Sequence, residues 1–172
     1  MSSWIKAMNP SGTIANEAEA TQAARSSAVS IIIGVIVGVI SLAWTLMNPD
    51  AMQAAAAQAG AGSAEAASAA AVGVQMGLWL AGAFIVIQLI FAIVQWRDPK
   101  KFIAILFMVL IVLGILSTAA TPMMSGMMPN APVVPMWQVA LSIVVMIVQL
   151  VLHAAGLRGI KKLEAIQFES AR

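Results

Sequence analysis

The chain of 172 residues is 61% hydrophobic and only 9% charged, and its mean hydropathy is +0.94. This composition excludes a water-soluble fold and predicts a chain whose main solvent is lipid. The formal net charge of +2 comes from short basic clusters, which suit anionic lipid headgroups and disfavour nucleic acid as a partner. The sequence contains no Cys, which excludes disulfides and thiolate metal sites.

The N-terminal region predicts a short tail followed by a first membrane span. Residues 1–27 are predicted to be a cytoplasmic segment, in which Asn9-Pro10-Ser11-Gly12 forms a turn. A helix predicted from about Ile14 leads into a span over residues 29–47. A cleaved signal peptide is the competing interpretation of this span. The length of the apolar run favours a retained anchor.

The second predicted helix is longer than a membrane requires. Ser63 is a suitable N-cap, and the pattern after it predicts an unbroken helix over residues 64–96. Such a helix is about 50 Å long, whereas the hydrocarbon core is about 30 Å thick. We therefore predict a span over residues 69–96, with an outer end that extends above the membrane.

A short connection separates the second and third spans. Asp98 is predicted to cap the third helix, with Pro99 at its first position. So short a connection predicts that spans two and three are antiparallel neighbours. The third span is predicted over residues 102–120, followed by an uncharged outer connection over residues 121–135.

The fourth span is predicted over residues 136–157, which completes a transmembrane domain over residues 28–157. Leu157, Ile160, Leu163 and Ile166 then recur beside basic residues. This pattern predicts that residues 158–172 form a cytoplasmic amphipathic tail on the inner membrane surface.

The basic residues predict the orientation of these spans. Every Lys and Arg can be placed on one side of the membrane, and Lys/Arg-rich short loops stay in the cytoplasm. They are Lys6, Arg25, Arg97, Lys100, Lys101, Arg158, Lys161, Lys162 and Arg172. The predicted fold is thus an all-α integral membrane protein, a four-transmembrane-helix bundle with both termini inside. Composition suggests the inner membrane of a bacterium.

Tryptophans support these boundaries. Trp44 and Trp137 fall near the predicted outer interface and Trp96 falls at the inner one, as an aromatic belt requires. Trp79 is expected deeper, within the second span.

The spans contain no Asp, Glu, Lys or Arg, which disfavours proton pumping and the transport of charged solutes. With one His and no Cys, a nucleophile and its base are hard to assemble, so we expect no enzyme activity. We also expect no cofactor.

Small residues at four-residue spacing predict helix-packing faces on the first two spans. The candidates are Ser30, Gly34, Gly38, Gly73, Gly77 and Ala81. Two interpretations stay open: the faces hold the first hairpin together within this chain, or one of them docks another subunit.

Four methionines in the predicted outer connection form what we call the Met-rich segment: Met123, Met124, Met127 and Met128. Thioethers are soft ligands that select Cu(I). Methionine also fills irregular apolar contacts, so packing is the competing interpretation.

His153 is the only histidine and falls one turn before the inner end of the fourth span. Imidazole at this depth can ligate the metal of a haem or chlorophyll-type group. The alternative is a hydrogen-bonded polar residue near a helix C-terminus.

These features favour a non-enzymatic accessory, assembly or scaffolding subunit of a larger membrane complex. Its partners would be the lipid bilayer and other membrane subunits or copies of itself. The first alternative is an oligomeric channel or transporter for a neutral or apolar solute, and the second is handling of Cu(I) at the outer face.

Overall fold

The computed structural model describes residues 3–50, 63–127 and 135–171. Four helices in it are long and apolar enough to cross a membrane, and no strand occurs in the described part of the chain. A short helix α1 (Ser3–Met8) precedes them. The four are α2 (Glu17–Met47), α3 (Ala64–Arg97), α4 (Lys101–Met127) and α5 (Met136–Ser170). The predicted four-helix membrane bundle is confirmed.

Side-chain caps explain where α2 and α3 begin. Asn16 Oδ1 accepts a hydrogen bond from the Glu19 N–H at 2.9 Å, and Glu19 Oε2 accepts one from the Ala15 N–H at 2.8 Å. These bonds satisfy backbone donors that the first turn of a helix leaves unpaired. Ser63 caps α3, because its Oγ accepts from the Ala66 N–H at 3.1 Å, as its position in the sequence predicts.

Helix α2 is the centre of the bundle. It packs along both α5 and α3, and α4 packs on α5. Helix α1 lies against α2 and α5, where Ala7 is buried.

Helices α3 and α4, the predicted antiparallel neighbours, share one core cluster through Ala92, Ile103 and Phe107, but their backbones do not pack closely along their length in the described residues. They meet near their connection, where the rings of Phe91 and Phe107 lie 5.8 Å apart, edge to face. Small residues, in contrast, bring the backbones of α2 and α5 together.

The connection itself also differs from the prediction. Asp98 is the C-cap of α3, with its N–H donating to Val94 O at 2.8 Å, and α4 begins only at Lys101. The Lys100 N–H donates to Gln95 Oε1 at 2.9 Å. A side chain from α3 thus satisfies the backbone at the start of α4, and Asp98 is not the cap of the third span.

Helix α4 continues through Pro122 to Met127, so the first part of the predicted outer connection, residues 121–127, is helical. Proline is tolerated within membrane helices, where side chains and local adjustments satisfy the backbone groups it frees. Thr121 Oγ1 donates to Ser117 O at 3.1 Å in this turn.

One end of the bundle carries the basic residues and is called the basic end here. Arg25 lies over the Trp96 ring, with its Cζ 5.4 Å from the ring centroid, so α2 and α3 are at the same depth there. Lys101 of α4 pairs with Glu164 of α5 at 3.3 Å, which aligns the other two helices.

Helix α3 extends beyond α2 at the opposite end. Thr45 and Leu78 line one groove, so the last residue of α2, Met47, lies opposite about residue 76 of α3. Residues 64–75 therefore continue past the end of α2 by about 18 Å. This matches the extended end predicted for the second span.

The same alignment corrects the expected depth of one tryptophan. Because Thr45 lies across from Leu78, Trp79 is at the depth of Trp44 and not deeper in the span. Both side chains are exposed on the bundle surface, at 76% and 70% respectively, which suits anchors in one interfacial belt.

The apolar side of the predicted surface tail turns toward the bundle. Ile160 is 3% exposed and packs with Ala24 and Ala104, and Leu157 lies against the same cluster. Helix α5 runs without interruption to Ser170, so these two residues join a protein core where an amphipathic surface helix was expected.

Candidate functional site

Buried polar side chains join α2 to α5 near the basic end, and we call this set the polar seam. Its members are Ser26, Ser27, Ser30, Gln149 and His153. The single hydrogen of Ser26 Oγ is shared between Ala23 O in its own helix, at 2.6 Å, and Leu152 O in α5, at 2.9 Å. Ser30 Oγ donates to Gln149 O at 2.9 Å. In the opposite direction, Gln149 Nε2 donates a hydrogen bond to Ser30 O at 3.1 Å. These bonds run from one helix to the other, so they fix the register of the pair.

Two glycines explain why the helices come so close. A Cβ atom added to Gly156 would lie 2.6 Å from Ser27 Cβ and 2.8 Å from its backbone N. A Cβ atom on Gly159 would collide with the backbone of Ala23 and Ala24. Small residues allow the backbones of two helices to approach closely. This close packing matters in lipid, because the hydrophobic effect does not drive apolar helices together there.

His153 is held on two sides. Its Nδ1 lies 2.7 Å from Ser27 Oγ, and its ring stacks on Phe107 with centroids 5.9 Å apart. Neither Ser27 nor His153 has exposed surface. A hydroxyl so enclosed has no access to a substrate, and the contact that the geometry shows is a helix-to-helix hydrogen bond.

The buried nitrogen atoms without a hydrogen-bond partner among the described residues include Nε2 of His153 and Nε2 of Gln95. An axial ligand needs a free ring nitrogen, and His153 has one. The ring has no exposed surface, however, and Phe107 covers one of its faces. A planar tetrapyrrole would therefore have to displace neighbouring helices, and the cofactor role of His153 stays a prediction.

The small-residue face of the first span packs within the chain. A Cβ atom on Gly34 would lie 3.0 Å from Gln149 Nε2, and one on Gly38 would lie 3.1 Å from Ile85 Cγ1. Ser30 belongs to the polar seam. Gly38 and Ala81 also line a groove of about 260 Å³ between α2 and α3.

The small-residue face of the second span is different. A Cβ atom on Gly73 or Gly77 would meet no heavy atom within 4 Å. In the described part of the chain these two glycines therefore face open space, because α2 ends at their level. Their role in packing stays a prediction that only a partner can test.

The Met-rich segment was expected in the outer connection, and its first three methionines belong to the end of α4. Met123 is 75% exposed. Met124 and Met127 belong to the last turns of the helix, but their side chains and all of Met128 lie outside the described residues. The described ranges contain no group of three or more His, Cys, Asp or Glu that could hold a metal ion. Both interpretations of these thioethers, Cu(I) binding and packing, stay predictions.

Sequence reasoning missed Ser27, Gln95, Gly156 and Gly159. The two glycines follow Ala154 and Ala155, so a concentration of small residues at the end of the fourth span was visible. That pattern could have indicated the packing face. Nothing in the sequence shows that Ser27 faces His153, because the two residues are far apart along the chain.

Fold and site together define a small multi-pass membrane protein with four spanning helices, closed at its basic end by polar and small-residue contacts. No protein-family model, curated protein or solved structure matches the chain.

Proposed function

We propose that this protein is a non-enzymatic accessory, assembly or scaffolding subunit of a larger complex in a bacterial inner membrane. The observation that carries the proposal is the free small-residue face of α3. Among the described residues, a Cβ atom added to Gly73 or Gly77 would meet no heavy atom within 4 Å, and α3 continues well past the end of α2. A membrane helix with such a face has room for another helix to approach its backbone closely.

The distribution of burial supports this proposal. Within the most apolar stretch of α3, only 6% of the residues are buried. In the corresponding stretch of α5, 33% of the residues are buried. Helix α3 is thus held mainly through one face on α2, and its remaining surface is available to lipid or to a partner. The buried polar contacts lie at the basic end and hold this chain together, so they leave the far end of α3 uncommitted.

The orientation belongs to the same proposal. Basic loops and tails favour the cytoplasm, so we place the basic end inside and the extension of α3 outside. Residues 64–75 then form an outer projection rich in alanine, a residue with high helix propensity. A helical projection continuous with a membrane span is a suitable contact for a neighbouring subunit.

Co-purification from native expression in a mild detergent tests the proposal. Wild type should be recovered in a complex larger than the single chain. Gly77→Leu fills the open face and should lower the recovered partner. Val86→Leu is the matched control, since Val86 is also exposed, at 57%. Recovery of only the single chain from all three proteins would contradict the proposal.

A further inference from the structure

A cavity of about 300 Å³ lies at the basic end, between the loop before α2 and the part of α5 that follows the fourth span. It is lined by Gly12, Thr13, Ile14, Arg158 and Lys162. This cavity is separate from the polar seam and from the open face of α3. We call it the basic pocket.

Arg158 has hydrogen-bond donors for which the described residues supply no acceptor. Its Nη1 donates to Pro10 O, which ties the guanidinium to the loop. Its Nε and Nη2 are buried and have no partner among the described residues. These two nitrogens form one edge of the planar guanidinium, the edge that binds two oxygen atoms of a carboxylate or phosphate side by side. Buried charged donors without an acceptor are costly, so this edge favours an anionic ligand.

Lys162 supplies a second positive charge one turn further along α5. Its ammonium is exposed, and neither cation forms an ion pair in the part of the chain that the structure describes. None of the residues that line the pocket is acidic, and Glu164 pairs with Lys101. The pocket is therefore electropositive.

The opposite wall of the pocket is a loop held in place by its own hydrogen bonds. Asn9 Oδ1 accepts from the Ser11 N–H at 3.0 Å, and Asn9 O accepts from the Gly12 N–H at 3.2 Å. Thr13 adds a hydroxyl to the lining. A wall fixed in this way reduces the ordering needed when a ligand binds.

The depth of the pocket suits the headgroup region of a membrane. Arg158 directly follows the apolar part of α5, and Arg25 and Trp96 mark the interface at the same end of the bundle. From these observations we infer that the basic pocket binds a phosphate group through Arg158 and Lys162. The phosphate can belong to a membrane lipid or to a dissolved anion, and both present the same oxygen atoms. The inference is independent of the accessory function, since it concerns this chain alone.

The test uses purified full-length protein and two probes. Native mass spectrometry measures the retention of phosphatidic acid and phosphatidylglycerol against phosphatidylcholine, and ³¹P NMR measures the binding of inorganic phosphate in detergent without lipid. Lys162→Gln is the main variant, because an exposed side chain can be replaced without affecting the fold. Lys161→Gln is the matched control: it removes the same charge from the same helix outside the pocket. Arg158→Gln is the second variant, accepted if its helical circular dichroism equals that of wild type.

We expect Lys162→Gln to lower the binding of phosphate groups about five-fold and Arg158→Gln to lower it about ten-fold or more, whereas Lys161→Gln stays within about two-fold of wild type. Retention of anionic lipid without binding of inorganic phosphate shows that the bound phosphate group belongs to a membrane lipid. Binding of both probes, with the same sensitivity to the variants, identifies a site that dissolved phosphate also reaches. Equal losses in Lys161→Gln and Lys162→Gln, or no binding of either probe, would overturn the inference.

Discussion

Replacing Gly159 by alanine adds one methyl group at the closest approach of α2 and α5, and we expect it to destabilise the bundle. The added Cβ would collide with backbone atoms of Ala23 and Ala24, which cannot rotate away as a flexible side chain can. Overpacking of this kind lowers the free energy of unfolding by up to about 3 kcal/mol. The higher helix propensity of alanine raises it by about 1 kcal/mol.

The helices can relieve the collision only by moving apart. Such a movement weakens the bonds that Ser26, Ser27 and Ser30 make to α5, each of which contributes about 0.6 kcal/mol in a membrane protein. The expected loss in the free energy of unfolding is therefore about 2 to 4 kcal/mol. Unfolding in mixed micelles of mild detergent and sodium dodecyl sulfate, followed by circular dichroism, measures it.

The same substitution at Gly73 is the control. No heavy atom lies within 4 Å of a Cβ added there, so Gly73→Ala should be neutral or stabilise the protein by up to about 1 kcal/mol. The two variants have identical composition and differ only in what the methyl group meets. If Gly159→Ala unfolds within about 0.5 kcal/mol of Gly73→Ala, the close packing of α2 on α5 is refuted.

Three further predictions concern the seam, the orientation and the metal. Ser27→Ala removes the hydrogen bond to His153 Nδ1 and should lower the free energy of unfolding by about 1 kcal/mol. Ser41 is exposed, so the control Ser41→Ala should change the free energy of unfolding by less than about 0.5 kcal/mol. Equal effects of the two substitutions in the same unfolding assay would contradict the hydrogen bond. Because the chain lacks Cys, Ser68→Cys and Ser170→Cys each introduce a single thiol. A membrane-impermeant maleimide should label the first in intact cells and the second only after permeabilisation, and the reverse result would show that the basic end faces outward. Finally, replacing all four methionines of the Met-rich segment by leucine should leave the Cu(I) content of the reduced, purified protein unchanged, and a clear loss of copper would instead establish metal binding there.

Much of the fold was predictable from local features. Long apolar runs determine where helices must cross lipid, because an unpaired backbone group cannot remain in the hydrocarbon region. The starts of α3 and α5 and the end of α2 fell within a residue of their predicted positions. The start of α4 also fell within a residue of its prediction, but its cap and its end did not: Gln95 of the preceding helix accepts from the Lys100 N–H in place of a cap by Asp98, and the helix continues to Met127.

The candidate site was predictable only in part. Four-residue spacing identified Ser30, Gly34 and Gly38 as a packing face, and each now has a neighbour on another helix. The same spacing gave no distinction between these residues and Gly73, which faces open space. Spacing describes one helix, whereas packing depends on where the neighbouring helix ends.

The sequence by itself determined that this chain is a set of four membrane helices with its basic residues gathered on one side, because hydropathy and charge are properties of each segment alone. Only the tertiary structure decided that α2 pairs most closely with α5, that Ser27 meets His153, and that Arg158 and Lys162 form a pocket with the loop before α2. In lipid, every apolar helix face is equally well solvated, so hydropathy cannot select the pairing. Steric fit between small residues and a few buried hydrogen bonds select it instead.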